Sequence, residues 1–250
     1  MLELSELRRK NLELAKKRFK ESVNTDLLII NAINNFEELQ KIINTLTKKL
    51  REWYSLYFPE LDREVQDNEA FVRLLIKKNK KELLNELGLK ESIGAELNKE
   101  DLEPIISLAR LINNLIKEKH LLEEYLERTM RSYCPETSTI SGALIGAKLL
   151  RGAGSLKKLA MMRSSTIQLL GAEKALFRHI RTGAKPPKYG YLMQHPLVQN
   201  AKKKDKGRVA RALADKIFIC ARVDYFKGAP IAARLLDELE EKFKKKSSTE

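Results

Sequence analysis

Apolar residues between positions 29 and 57 recur in alternating steps of three and four. The positions of this first seam are Ile29, Ala32, Phe36, Leu39, Ile43, Leu46, Leu50, Trp53 and Tyr57. This spacing places the side chains along one face of an α-helix, in the manner of a coiled coil. The helix is predicted to end at Phe58-Pro59, because proline disfavours helical geometry in the residue before it.

A second seam of the same period follows Pro104. Its positions are Ile105, Leu108, Ile112, Leu115, Lys119, Leu122, Leu126, Thr129 and Tyr133. Residues 59–101 lie between the two seams and are long enough for the chain to fold back, which favours an antiparallel pair. This connection is itself helical in pattern, with Gly88 suited to a helix end. We expect a solvated cap on the coil here, and a binding tip is the alternative.

The pattern changes to shorter elements after Pro135. Residues 142–162 predict one or two short helices interrupted by Gly152 and Gly154. Residues 164–170 run from polar to apolar and predict an extended approach to the next helix. That helix is expected from Gly171 or Ala172 to about Thr182, followed by a loop that reaches His195. A further helix is predicted with a buried stripe of Val209, Leu213, Ile217 and Cys220, and a last one from Ile231 to Phe243.

Together these patterns predict an all-α protein. Its first part, residues 1–134, is expected to be a long antiparallel coiled-coil hairpin with a small helical insertion at about 59–101. A compact helical domain is expected over residues 135–245, and residues 246–250 form a polar tail without predicted structure.

The positive charge of the chain is confined to its second half. Residues 1–134 carry 24 Lys and Arg against 24 Asp and Glu, whereas residues 135–250 carry 24 against 10. The whole net charge of +14 therefore belongs to the second half. Such segregation is typical of a neutral structural part joined to a part that binds a polyanion.

A candidate anion site lies around Gly171 in this basic half. The start of the predicted helix carries only small side chains, and the amides of a first helical turn bind anions. The nearby cations are Lys174, Arg178, Arg181, Lys185 and Lys188. Tyr189 and Tyr191 add aromatic faces, and His195 is expected to stack on a base or donate to a phosphate. This mixture of groups is typical of sites that read unpaired RNA bases.

Several other classes of protein do not fit the sequence. No stretch of 18 apolar residues predicts a membrane span, and the charged first twenty residues do not resemble a signal peptide. Cys134 and Cys220 are expected to be packing residues, and no spacing of ligands predicts a metal site. His120 faces the predicted coiled coil, His179 lies in a predicted helix, and His195 has no evident Ser, Cys or acid as a partner, so no nucleophile arrangement is predicted. No phosphate-binding glycine loop occurs either. We therefore expect neither an enzyme nor a cofactor.

Five stretches of the chain resemble the Nop family, the core scaffold proteins of box C/D small ribonucleoproteins. They are GAEKALF at 171–177, RTGAKPPKYG at 181–190, QHPLV at 194–198, ARALADKIFICARVD at 210–224 and LREWYSLYFPEL at 50–61. The resemblance covers essentially the whole chain and favours an archaeal member. It implies a Nop domain over residues 135–245, a cytoplasmic location in an archaeal cell and a nucleolar location in a eukaryotic one.

The resemblance also implies the partners and the residues that meet them. The Nop domain is expected to bind box C/D guide RNA, at a kink turn already held by the small kink-turn-binding protein. The RNA-facing candidates are Gln168, Gly171, Ala172, Glu173, Lys174, Lys185, Lys188, His195, Arg208 and Arg211. Two copies are expected to associate through the coiled coil, and the candidates for this contact are Phe36, Leu39, Ile43, Leu46, Leu50, Ile112, Leu115 and Leu122. A fibrillarin-type methyltransferase would be held by a domain that these residues do not include.

The expected function is that of a non-catalytic scaffold for guide-directed 2′-O-methylation of RNA. One alternative is a spliceosomal type of Nop protein, which binds a small nuclear RNA stem together with its kink-turn protein. Another is a basic coiled-coil protein that binds nucleic acid in general. An arginine-rich recognition helix with a short turn before it, as in duplex DNA readers, is not evident.

Overall fold

The computed structural model describes residues 2–244, and within that range the chain is helical, without strands. The predicted tail at 246–250 lies outside the described residues. The helices are α1 Leu2–Ser22, α2 Thr25–Tyr54, α3 Pro59–Glu64, α4 Asn68–Lys77, α5 Lys80–Glu86, α6 Lys99–Tyr133, α7 Pro135–Ser141, α8 Ala143–Ala153, α9 Leu156–Met161, α10 Ser164–Leu169, α11 Glu173–Thr182, α12 Pro196–Gln199, α13 Lys206–Phe226 and α14 Ala232–Lys244, with a 3₁₀-helix at Tyr191–Gln194. The predicted all-α class is confirmed. None of the described helices is long and apolar enough to cross a membrane.

The chain forms two compact units. The first contains residues up to 33 and from 125 onward, and the second contains residues 34–124. Each of the long helices α2 and α6 contributes to both units. The domain boundary predicted between residues 134 and 135 stays a prediction.

The core of the second unit joins the end of α2, the start of α6 and the insertion. Its buried residues are Ile43, Leu50, Tyr54, Phe58, Leu61, Phe71, Val72, Leu75, Leu83, Ile105, Ala109, Ile112 and Ile116. The connection therefore folds as the predicted helical insertion, and α5 ends at Glu86, just before Gly88. The insertion also contains α3, which the sequence reading missed because it treated Pro59 only as a break.

The predicted seam of α2 is wrong at its end. Trp53 is 43% exposed, whereas its neighbour Tyr54 is 3% exposed. Tyr54 packs edge-on against Phe71 of α4, with ring centroids 6.1 Å apart. The insertion thus decides which residue of the last turn is buried, and it does so by a contact that the heptad pattern does not contain.

Lys119, which interrupts the second seam, also faces the insertion. Its Nζ lies 2.6 Å from Oε1 of Glu69 in α4. Burial opposes ionisation of Glu69, but hydrogen bonds from Lys119 and His120 outweigh it and lower the pKa of this carboxyl. The buried cation is therefore paired, as a buried charge must be.

In the first unit, α7, α9, α10, α12 and α14 pack against α13, and α8 packs against α7 and α9. The predicted stripe of Val209, Leu213, Ile217 and Cys220 is buried. Cys134 and Cys220 are both buried and unpaired, so the prediction that they are packing residues is confirmed. Buried carboxylates tie the helices of this unit together: Asp224 accepts from the first amides of α7, and Asp26 accepts from Leu156 of α9 at 3.0 Å.

Two local predictions before and after α11 are wrong. Residues 164–169 form the helix α10 rather than an extended strand. Ile167 in this helix and Leu170 just after it are buried and have helical spacing, but so short a helix does not reveal a period. The loop after α11 contains the 3₁₀-helix and is followed by the one-turn α12.

Candidate nucleic-acid interface

The candidate interface is built on the junction between α10 and α11. Gly171 has φ of +88°, and a Cβ at this position would lie 2.6 Å from the ring of Tyr191. A Cβ at Gly190 would overlap the carbonyl oxygen of Leu170. Glycine is therefore required at both positions. At Gly171 both the positive φ and the Tyr191 ring disfavour a side chain, and at Gly190 the carbonyl of Leu170 leaves no room for one.

Hydrogen bonds hold the loop after α11 against this junction. The amides of Gly190 and Tyr191 donate to the carbonyls of Gln168 and Leu170, at 3.0 and 2.8 Å. The side-chain amide of Gln168 donates to the carbonyl of Lys188 at 2.6 Å. Because its amide is used in this way and the residue is buried, Gln168 positions the loop, and its expected contact with RNA stays a prediction.

The amino end of α11 is exposed, as expected, but it is not entirely free. The amide of Gly171 donates to Oε1 of Glu173 at 2.7 Å, and that of Ala172 donates to the carbonyl of Leu169. The amides of Glu173, Lys174 and Ala175 have no acceptor within the helix, as in any first turn. An anion bound here would share this end of the helix with the Glu173 carboxylate, which already occupies part of it.

The cations around this end are exposed to solvent. Those of α11 and its loop are Lys174, Arg178, Arg181, Lys185 and Lys188, and none has an ion-pair partner among residues 2–244. The methylene chain of Lys188 packs against Gly207, where an added Cβ would lie 3.4 Å from its Cδ. This contact brings Lys188 next to the start of α13. Arg208 is exposed there, and its Nη1 lies 3.5 Å from Oδ1 of Asp205. Arg211 is exposed one turn further along α13.

His195 is not part of the exposed surface. Its side chain is 8% exposed, and Nδ1 accepts a hydrogen bond from the amide of Leu197 at 3.3 Å, which caps α12. Burial lowers the pKa of His195, although a hydrogen bond with the backbone of Ile140 opposes this effect. One ring nitrogen is therefore used inside the protein and the residue is buried, while the expected contact of His195 with RNA stays a prediction.

The apolar face of α11 is a feature that the sequence reading missed. Phe177 is 65% exposed and Ile180 is 69% exposed, and no residue of α11 is buried. The sequence does contain a signal for this exposed face. The apolar residues of α11 form a stripe along the helix, and the loop that follows is rich in proline and glycine and has few apolar side chains to cover that stripe. The surface thus combines backbone amides, cations and an exposed aromatic ring.

The predicted self-association residues lie in the hairpin of α2 and α6. Ile43, Leu50 and Ile112 are at most 1% exposed and pack within the chain's own core. Leu39, Leu46 and Leu115 are partly buried at the edge of that core. Phe36 is buried, and Leu122 is partly buried.

Residues 35–245 match the model of a family described as "Nop: snoRNA binding domain, fibrillarin". The chain belongs to the Nop family. The match covers both the hairpin with its insertion and the basic helical part that carries the candidate interface.

Individual relatives agree with this assignment. An uncharacterized NOP5 family protein of Methanocaldococcus jannaschii is 41% identical over 244 residues, which is 91% of this chain and 59% of the relative. Nucleolar protein 58 of Schizosaccharomyces pombe is 37% identical over 80% of this chain and 42% of its own length. Human nucleolar protein 56 is 35% identical over 87% of this chain and 40% of its own length. This Nop-family chain thus spans about 40 to 60% of the length of these relatives.

A solved structure supports the fold. The crystal structure of a fibrillarin/Nop5p complex contains a chain that matches 97% of this one with a TM-score of 0.56. The match covers 78% of that chain, at 23% sequence identity. At this identity the comparison supports the Nop fold and does not assign individual contacts.

Proposed function

We propose that this Nop-family chain is a non-catalytic scaffold of a box C/D ribonucleoprotein. In this proposal it binds guide RNA at a kink turn, together with the small kink-turn-binding protein, and so organises guide-directed 2′-O-methylation. A fibrillarin-type enzyme would supply the methyl transfer. The relatives named as nucleolar proteins favour a nucleolar location in eukaryotes, and the archaeal relative favours the cytoplasm of an archaeal cell.

The observation that carries the proposal is the exposed surface around α11. We define the RNA surface as the first turn of α11 with Lys174, Lys185, Lys188, Arg208 and Arg211. Exposed cations neutralise phosphates, and outward amides at a helix start add a dipole of the right sign. Phe177 provides an aromatic face on which an unpaired base can stack.

The chemistry of the described residues favours a scaffold over an enzyme. Burial raises the pKa of both cysteines, that of Cys220 to about 12, so neither thiol is a ready nucleophile. His195 is the buried N-terminal cap of α12, and Nδ1 of His179 forms a hydrogen bond with the carbonyl oxygen of Ala184. His120 lies beside Glu69 and Glu123 on the hairpin, far in sequence from the basic surface.

Self-association through the hairpin is part of the same proposal. The innermost predicted residues are filled by the chain's own core, so a second copy would meet the edge residues Leu39, Leu46, Leu115 and Leu122. The exposed Ile42, Leu111 and Leu121 extend this apolar area on the two helices. We expect dimers in sedimentation equilibrium, weakened when these exposed residues are replaced by Ser.

The RNA surface is tested by removing charge at Lys174, Lys185 and Lys188 together, by substitution with Gln. Assembly on kink-turn RNA, with the kink-turn-binding protein present, should weaken. The slope of log affinity against log salt should fall by about two to three, because each lost phosphate contact lowers it by roughly 0.7 to 0.9. Gel shifts at several salt concentrations measure both quantities.

A matched control separates the site from the overall charge. Lys81, Lys90 and Lys117 are exposed lysines of the second unit, and their replacement by Gln removes the same net charge. This control should leave the salt slope within error of the parent chain. Equal losses in the two triple variants would reject the RNA surface as defined here.

A further inference from the structure

A pocket of about 350 Å³ lies where α12, the start of α13 and the end of α14 meet. Its apolar walls come from Leu197, Val209 and Phe243, and its polar groups include Asn200 and Asp205. Pockets for small ligands begin at roughly 300 Å³, so this one suits a single small ring system.

The pocket shares a residue with the RNA surface. Arg208 contributes to its lining, and the neighbouring Gly207 is the residue against which Lys188 packs. A strand held by Lys188 and Arg208 would therefore pass the pocket within one nucleotide's reach.

The charges of the lining narrow the choice of ligand. Lys202 and Arg208 are balanced by Asp205 and Glu240, so the lining as a whole is neutral. A free, multiply charged anion gains little from such a set. A nucleobase fits better, because the Phe243 ring and the apolar walls suit its faces, while carboxylate and amide oxygens accept from its N–H groups.

We infer that this pocket receives one unpaired base of the RNA bound at the neighbouring surface. The inference rests on the proposed function, since it requires RNA to lie beside Lys188 and Arg208. Only a nucleotide outside a helix qualifies, because paired and stacked bases do not present their faces. Lys188, which packs on Gly207 beside the pocket, would hold the phosphate next to that base.

Filling the pocket is the direct test. Ala201 is a lining residue, and Ala201→Phe occupies the space without removing any charge. We expect assembly on kink-turn RNA to weaken about ten-fold, which is within the range for loss of one stacked base. The salt slope should not change. Ala233→Phe, on the exposed side of α14, introduces the same side chain outside the pocket and should bind like the parent chain.

The base itself is located by abasic substitution of each unpaired nucleotide in turn. One position should weaken binding to the parent chain and have little further effect on Ala201→Phe. Phe243→Leu, which keeps an apolar wall but removes the ring, should reduce the loss at that same position. If each abasic substitution weakens binding to Ala201→Phe and to Phe243→Leu as much as it weakens binding to the parent chain, the inference is overturned.

The two proposals fail in different ways. If the parent chain does not assemble with the RNA, the proposed function is wrong. If it assembles with the expected lysine dependence and Ala201→Phe binds equally well, only the pocket inference is wrong. If Ala201→Phe instead loses the kink-turn-binding protein in the absence of RNA, the pocket receives a protein segment and the inference is also overturned.

Discussion

Single residues with no charge of their own shape the candidate interface. Gly171 and Gly190 allow the loop to lie directly on the α10–α11 junction, and Gln168 holds it there through the carbonyl of Lys188. The ring of Tyr191 fills the space that Gly171 leaves, and its hydroxyl accepts from Arg151 at 2.9 Å. The lysines of the loop therefore project from a fixed backbone, which reduces the entropy lost when they bind phosphate.

His195 provides a test of the buried cap at the residue scale. Its pKa in the folded protein is lowered by burial from the usual 6.5. The neutral ring therefore contributes stability that is present above the unfolded pKa and is lost as the pH falls toward the folded pKa. As the pH falls below about 6.5, the lowered pKa of His195 should reduce the free energy of unfolding by up to about 1.4 kcal/mol per pH unit.

The measurement is urea unfolding of the parent chain and of His195→Gln at pH 7.5 and at pH 5. The difference in stability between them should shrink at pH 5, while the salt slope of RNA assembly stays unchanged. A difference that is constant with pH, or a lowered salt slope, would contradict a buried neutral histidine.

At the scale of elements, the insertion depends on one arginine of α2. Arg51 donates to Asp62 at 2.8 Å, to Asn68 at 3.1 Å and to the carbonyl of Val65 at 2.9 Å. Its guanidinium also lies 4.2 Å from the centroid of the Phe71 ring. The Arg51 side chain is 14% exposed and that of Asp62 is 43% exposed, so these contacts are partly shielded from water. A single planar group thus joins α2 to α3, α4 and the turn between them.

We predict that Arg51→Lys destabilises the chain by about 2 to 4 kcal/mol. An ammonium group cannot reproduce several directed contacts, so buried acceptors are left without partners. Chemical denaturation measures the loss, and Arg110→Lys is the control because Arg110 is 59% exposed and forms an exposed ion pair with Glu103. The control should change stability by less than about 0.5 kcal/mol. Equal effects in both variants would exclude a special role for Arg51.

At the scale of the whole molecule, distant parts of the sequence share one unit. Asp26 precedes the amide of Leu156 by 130 positions and yet accepts from it. Burial, together with the charge of Asp26, raises the pKa of Tyr133 to about 12. The start of α2 and the end of α6 therefore belong to the structure that carries the RNA surface, although their composition resembles that of the neutral half.

Asp26→Ala tests this connection. We expect a loss of about 1 to 2 kcal/mol in the free energy of unfolding, because the first turn of α9 loses an acceptor in a buried site. Hydrogen exchange should also become faster at the amide of Leu156. Asp237→Ala, at an exposed position of α14, should affect neither measurement. Unchanged exchange at Leu156 in Asp26→Ala would count against the cap.

The sequence by itself determined the helical class, the long helices, the end of α11 at Gly183 and the location of the positive charge. These features depend on periodicity over many residues, on special backbone preferences of Gly and Pro, and on composition, all of which are local properties of the chain. The motif around Gly171 also predicted an exposed helix start near lysines, which the structure has, while its role as an RNA interface stays a prediction.

Only the tertiary structure decided which side chains of that region are free. Gln168 and His195 carry polar groups suited to RNA, but they are buried and bonded within the protein, whereas the apolar Phe177 is exposed. Tyr54 is buried in place of Trp53 because the insertion packs there, and α10 packs against α13 with Ile167 buried. Which of these side chains is buried depends on contacts between different elements of the chain, and a local sequence pattern does not contain such contacts.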